Sequence, residues 1–204
     1  WCLATYQVDI DLCHFYSGYH LVAARDASDN PAQFRITRNM FNASNGILGI
    51  DISDGGETYI GYNQFMNFLA QSAGTAIGCI RLTDCNSNIT LDTNSYEGND
   101  AAVLGPSTAY LTIDNCGSVE LRNESMVTSG VKMNVCDLIR VQNGCEKLII
   151  NGGRINAAFI AGRRTYYVNW VSGTGKLVIQ TPPQQKQSAA NGVMPLLKGE
   201  PTAI

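Results

Sequence analysis

The feature that most constrains this chain is a self-similarity with a period of 24–31 residues. A β-branched or aliphatic residue is followed five positions later by a large apolar one: Ile10/Phe15, Ile36/Phe41, Ile60/Phe65, Leu91/Tyr96, Leu121/Met126 and Ile150/Ile155. Two positions before each first member stands Val8, Phe34, Thr58, Ile89, Val119 or Leu148. Apolar residues spaced by two mark a strand with one face turned inward. A unit this short cannot close a core by itself, so it must bury its apolar face by stacking on its neighbours.

Further columns keep the same register. A small-plus-aliphatic segment follows each large apolar residue, as in Tyr19–Val22, Gly46–Ile50, Ala76-Ile77, Ala102–Leu104, Gly130-Val131 and Ala158–Ile160. A third strand closes the later units at Ile80–Leu82, Leu111–Ile113, Ile139–Val141 and Val168–Trp170. Three strands per unit, repeated about six times, predict an all-β parallel β-helix over residues 1–180. Cys85, Cys116 and Cys145 follow the third strand at intervals of 31 and 29 residues, a register that stacks them roughly 4.8 Å apart. Asn39, Asn63 and Asn94 form a second column, at the bend before the aromatic residue, where an amide can satisfy bend backbone groups. Phe15, Phe41, Phe65 and Tyr96 form a third.

Composition narrows the class further. Charged residues are 15% of the chain, against roughly 25% in an average soluble domain. Asn occurs 18 times and Gly 20 times, which argues against a helix bundle. The net charge of −3 and the absence of a Lys/Arg run exclude nucleic acid as the expected partner. Thr58 to Ile80 carries no charge, yet Asn63, Gln64, Asn67 and Gln71 lie within it, so membrane insertion is not expected. Seven cysteines without a CxxC spacing and only two histidines, His14 and His20, give no metal or cofactor motif; buried, reduced thiols are expected. Trp1 heads the sequence, which reads as a processed chain or the C-terminal part of a longer one. Residues 181–204, with Pro182, Pro183, Pro195 and Pro201, lack strand alternation and read either as a disordered tail or as an extended arm that caps the solenoid or reaches a neighbouring subunit.

The Asn, aromatic and Cys columns, joined by long irregular turns, resemble right-handed parallel β-helices of the pectate-lyase and phage-tailspike type, over about Val8 to Val171. The resemblance is architectural and brings no catalytic motif with it. It implies a segment of a bacteriophage tailspike or tail fibre that binds host-surface polysaccharide and belongs to a homotrimer. Its place would be the virion tail, assembled in the host cytoplasm, or the extracellular medium. Members of that group are often polysaccharide depolymerases, either hydrolases or lyases. The alternative is a non-catalytic structural or adhesin segment of a virion or cell surface.

In a β-helix the outward positions carry function. One outward column reads Asp9, Arg35, Tyr59, Thr90, Glu120, Ile149, and the next reads Asp11, Thr37, Gly61, Asp92, Arg122, Asn151. They bring Asp92 and Glu120 to a Cα separation of about 8 Å, one strand spacing by two residues of rise. Two carboxylates at such range suit the acid and base of an inverting glycosidase. Asp92 and Glu120 are therefore the candidate catalytic pair, with Tyr59 to stack a sugar and Arg122 and Arg35 to hold an acidic one. The competing assignment is an exposed ion pair between Asp92 and Arg122. Asp51–Glu57 is oxygen-rich like a calcium loop but lacks the twelve-residue pattern. Arg163-Arg164 with Tyr166, Tyr167 and Trp170 reads as a partner site or as the closure of the last coil.

Overall fold

The alternation seen in the sequence becomes three faces of stacked strands. A computed structural model describes residues 7–16, 20–25, 33–42, 48–66, 78–99, 109–128, 137–156, 167–185 and 197–199. The first face holds Gln7–Asp11, Gln33–Thr37, Thr58–Gly61, Ile89–Asp92, the second halves of Ala109–Arg122 and Asp137–Asn151, and Gly175–Thr181. The second face is a seven-stranded sheet of short strands: His14–Tyr16, Met40–Asn42, Gln64–Met66, Ser95–Asn99, Ser125–Thr128, Arg154–Asn156 and Gln184–Gln185. The third face holds His20–Arg25, Leu48–Ser53, Gly78–Thr83, the first halves of the two long strands, Val168–Trp170 and Leu197–Lys198. Every pairing is parallel, each strand lying on its counterpart one coil later. The protein is an all-β parallel solenoid.

The register matches the sequence columns residue for residue. Val8 pairs with Phe34, Phe34 with Thr58, Thr58 with Ile89, Ile89 with Val119 and Val119 with Leu148. From the Phe34 layer to the Leu148 layer, about four turns, the inward residues of all three faces are buried. The expected count of about six coils is thus slightly high for the enclosed core. Val8, Ile10 and Phe15 below it, and Leu177 above it, are only partly buried, each end layer being covered on one side among the described residues. Within the core a fully buried Ile or Leu contributes about 1.5–3 kcal/mol.

One reading of the repeat is corrected in detail. The second strand is the three-residue segment that carries the aromatic residue itself, not the small-plus-aliphatic run after it. Those runs belong to the third face where they are described, in His20–Arg25 and Leu48–Ser53; Ala76-Ile77, Ala102–Leu104, Gly130-Val131 and Ala158–Ile160 lie outside the described residues. Beyond Thr181, Gln184–Gln185 and Leu197–Lys198 pair in register on the second and third faces.

The interior columns show why the sequence selects this fold. Phe15, Phe41, Phe65 and Tyr96 stack with ring centroids 4.9, 4.8 and 5.1 Å apart. The Asn39 backbone and side-chain amides both donate to Asn63 Oδ1 at 3.0 Å, and Asn63 donates in the same way to Asn94 Oδ1. Each side chain also donates to a strand carbonyl, Asn63 to Ile36 at 2.8 Å and Asn94 to Ile60 at 2.9 Å. The column ends on Glu124, which the sequence reading missed although it stands three residues after Leu121. Its carboxyl accepts from the Asn94 backbone and side chain at 3.1 Å and from the Tyr96 hydroxyl at 2.7 Å. Cys85, Cys116 and Cys145 are buried free thiols that donate to backbone carbonyls at 3.3–3.7 Å. Cys13 departs from the expected burial and is exposed. Cys2 and Cys136 lie outside the described residues.

Candidate functional site

The first face and the bend that follows it carry the site. Strand alternation turns Asp9, Arg35, Tyr59, Thr90 and Glu120 outward in one column and Asp11, Thr37, Gly61, Asp92 and Arg122 in the next. The residue two places after each inward Ile or Leu turns the corner with a positive φ: Leu12, Arg38, Tyr62, Thr93, Asn123 and Gly152. Its amide donates to the next coil, Tyr62 to the Asp92 carbonyl at 2.9 Å and Thr93 to that of Arg122 at 2.8 Å. Leu12 and Tyr62 are consequently thrown outward, 72% and 58% exposed.

A groove of about 530 Å³ lies between strand and bend, lined by Arg35, Thr37, Arg38, Tyr59 and Tyr62. Asp11 anchors its lower edge: it accepts from Thr37 Oγ1 at 2.8 Å and Arg38 Nε at 2.9 Å, and also pairs with Arg38 Nη2. Those donors pull the Asp11 carboxyl down to about 2. Tyr59 donates its hydroxyl to Asp92 Oδ2 at 3.1 Å; burial first, and that carboxylate second, push its phenol up to about 12. Thr93 donates its hydroxyl to the other Asp92 oxygen at 2.8 Å.

The five residues singled out in the sequence therefore share one face, but in an arrangement other than the expected one. Arg122 reaches two residues back along its own strand to Glu120 Oε2, at 2.6 Å, rather than across to Asp92. Its guanidinium holds the Glu120 carboxyl below the usual range. Glu120 is thus an anion near neutral pH, fitted to accept a proton or hydrogen bond and not to supply a proton. Asp92 is bound to Tyr59 and Thr93. The Arg35 side chain forms no ion pair or hydrogen bond among the described residues. Arg38 and Tyr62 were missed because the bend looks like a loop; the signal that marks it is Asn123 and Gly152, residues that favour positive φ, in the same column.

Other candidates resolve elsewhere. Asp51 is buried and accepts from Arg81 Nη2 at 2.6 Å and Nε at 2.9 Å, so its oxygens serve an ion pair. Tyr167 and Trp170 are core residues, and Trp170 Nε1 donates to the Gly173 carbonyl at 3.1 Å; Arg163, Arg164 and Tyr166 lie outside the described residues. Among the described residues no group of three or more His, Cys, Asp or Glu is placed to hold a metal ion. Likewise no helix there is long and apolar enough to cross a membrane. Comparison with family models, with curated proteins and with solved structures found no match for the chain. Function is therefore reasoned from the site, since a fold alone does not fix it.

Proposed function

We propose that the protein is a polysaccharide-binding β-solenoid, a segment of a bacteriophage tailspike or tail fibre that assembles as a homotrimer and attaches to host-surface glycan. The observation that carries this reading is the groove of Arg35, Thr37, Arg38, Tyr59 and Tyr62, with two aromatic rings and one cation, Arg35, whose side chain has no partner among the described residues. Aromatic rings with a few placed polar groups are what a saccharide ring, apolar on its faces and polar at its rim, requires. The solenoid supplies a straight surface on which an extended polymer contacts several coils.

The Glu120–Arg122 pair favours attachment over cleavage, because it leaves Glu120 only the base role of an inverting mechanism while the other carboxylate, Asp92, is engaged by the Tyr59 and Thr93 hydroxyls. The test is light scattering on a panel of bacterial polysaccharides, with binding measured in parallel. Co-migration of an intact polymer with the protein, lost in Arg35→Gln and Tyr62→Ala, is the expected result. Shortening of a polymer by wild type but not by Glu120→Gln would make the protein a depolymerase instead. A stable monomer at micromolar concentration in sedimentation would remove the tailspike assignment.

A further inference from the structure

Gly61 stands where the outward column has its smallest member, and the reason lies in Tyr59. A Cβ built at Gly61 would sit 2.6 Å from Tyr59 Cε1 and 2.7 Å from its hydroxyl. Side chains on a strand ordinarily stand roughly perpendicular to the sheet. Tyr59 instead lies down along its own strand, across the space that any larger residue at position 61 would fill. Its hydroxyl then reaches Asp92, the register partner of Gly61 on the next coil, at 3.1 Å. Seat and anchor are thus adjacent positions in one outward column. Asp92 is in turn held by the Thr93 hydroxyl at 2.8 Å.

The cations around this ring are not equivalent. Arg38 is committed to Asp11 and Arg122 to Glu120. Arg35, one strand below Tyr59 in the same column, has no partner among the described residues and lines the same groove. A guanidinium free on a rigid sheet beside an aromatic ring is suited to bind a carboxylate through paired hydrogen bonds.

We propose that Gly61 and Asp92 are positioning residues that hold Tyr59 flat as a preformed stacking platform, and that Arg35 reads an anionic substituent on the pyranose ring that stacks there. The ligand class is an acidic glycan. This rests on the polysaccharide-binding reading and deepens it by assigning the ring's charge and by giving Asp92 a task other than acid–base chemistry. Preorganisation is the physical gain, since a ring already pinned loses no rotamer freedom on binding.

Two experiments separate the platform from its ligand. The first needs no ligand: the Tyr59 phenol is followed by pH titration, its signal identified by its loss in Tyr59→Phe. In wild type it should ionise near pH 12, and in Gly61→Ala and Asp92→Asn it should move toward ordinary tyrosine. Gly61→Ala is a safe probe for the fold, because the added methyl meets the end of a side chain and not backbone. An unmoved titration in both variants overturns the platform. The second measures binding of polysialic acid and hyaluronan against dextran and mannan. The acidic polymers should bind about tenfold tighter, Arg35→Gln should erase that preference, and Gly61→Ala should weaken binding about tenfold. Equal binding of acidic and neutral polymers, or variants within about twofold of wild type, would overturn the proposal while leaving polysaccharide binding intact. If neither these four nor any polymer of the bacterial panel binds, the polysaccharide reading fails and the acidic-ligand half fails with it, while the titration still decides the platform.

Discussion

The solenoid turns two corners by the same backbone device and staffs them differently. At the bend from the third face to the first, the non-glycine positive-φ residues among those described are Asp54, Asp84, Asn115 and Asn143, types that visit this conformation readily. At the bend from the first face to the second they include Leu12, Arg38, Tyr62 and Thr93, for which the same conformation costs about 1–2 kcal/mol each. Both corners are held by amides donating to the next coil, Asp84 to Asp114 at 2.9 Å and Tyr62 to Asp92 at 2.9 Å. The backbone has the same need at each corner, so the difference lies in what the side chains do afterwards. One corner is built from residues that suit the turn; the other keeps strained residues, two of which, Arg38 and Tyr62, line the groove. Strain of this kind collects where surface chemistry is wanted.

The interior of the two corners differs as well, and this gives the largest predicted effect. Asn63 is buried, accepts two bonds from Asn39 and donates to Ile36 and Asn94. Asn63→Ala strands the Asn39 amides and the Ile36 carbonyl, at about 1–3 kcal/mol per unsatisfied group, or about 3–5 kcal/mol in all. Cys116→Ala removes sulfur contacts to the Leu82 and Asp114 carbonyls at 3.6 and 3.5 Å and to the Cys85 thiol, with a small apolar volume, about 1 kcal/mol. Urea unfolding of the two variants measures the gap. Equal midpoints would show that the Asn column is packing and not hydrogen-bond satisfaction.

Next comes Glu124, which closes that column. Burial pushes its carboxyl up to about 8 from an ordinary 4.5, against the opposing pull of the Tyr96 and Asn94 donors. A carboxyl whose folded pKa lies above its unfolded value contributes stability that is fully present below pH 4.5 and is lost as pH rises from there through 8. Glu124→Gln, which keeps an acceptor for Asn94, should flatten this slope in a pH series of thermal midpoints. Asp11 acts in another window: its lowered pKa contributes stability above 3.8 that is lost as pH falls toward 2. A slope that persists in Glu124→Gln would place its origin elsewhere.

The inner columns were legible because solenoid stacking repeats each chemical demand once per coil, so Ile, Asn, Phe and Cys recur at fixed offsets. Glu124 was not, because a column ends on a different residue type when the next coil no longer offers an Asn; Gly153 follows it. The outward face was legible in register and opaque in partnership. Position brought Glu120 and Arg122 to one strand, but which cation each carboxylate chooses depends on rotamers that spacing does not encode. Arg38 and Tyr62 were opaque for a third reason: a positive-φ corner occupied by Tyr or Arg carries none of the Gly or Asn chemistry that announces a turn.

Tyr62→Asn sharpens the comparison of the corners directly. It places a tolerant residue at a strained corner and should stabilise the fold by about 1 kcal/mol while removing a groove wall. The reverse change, Asn115→Tyr at the other corner, should cost about as much, about 1 kcal/mol. Chemical denaturation of both, beside polysaccharide binding for Tyr62→Asn, tests whether stability and surface chemistry are exchanged there. Stability gained without loss of binding would leave Tyr62 strained for no purpose the groove explains.

The smallest effect is expected at Arg38, where two terms oppose each other. Arg38→Gly relieves a positive φ but breaks the pairing with Asp11, an ion pair open to solvent on both sides. Exposed pairs add little because water screens them and two long side chains must be held still. The denaturation midpoint should accordingly move by less than its error at neutral pH, with added salt making no difference to that result. A clear loss of stability, itself suppressed by salt, would mean that Asp11, Thr37 and Arg38 act as a clamp on the first corner and that the strain at Arg38 is compensated locally. In that event the two corners would differ in how they meet the same cost, and only Leu12, Tyr62 and Thr93 would remain as strain kept for the surface.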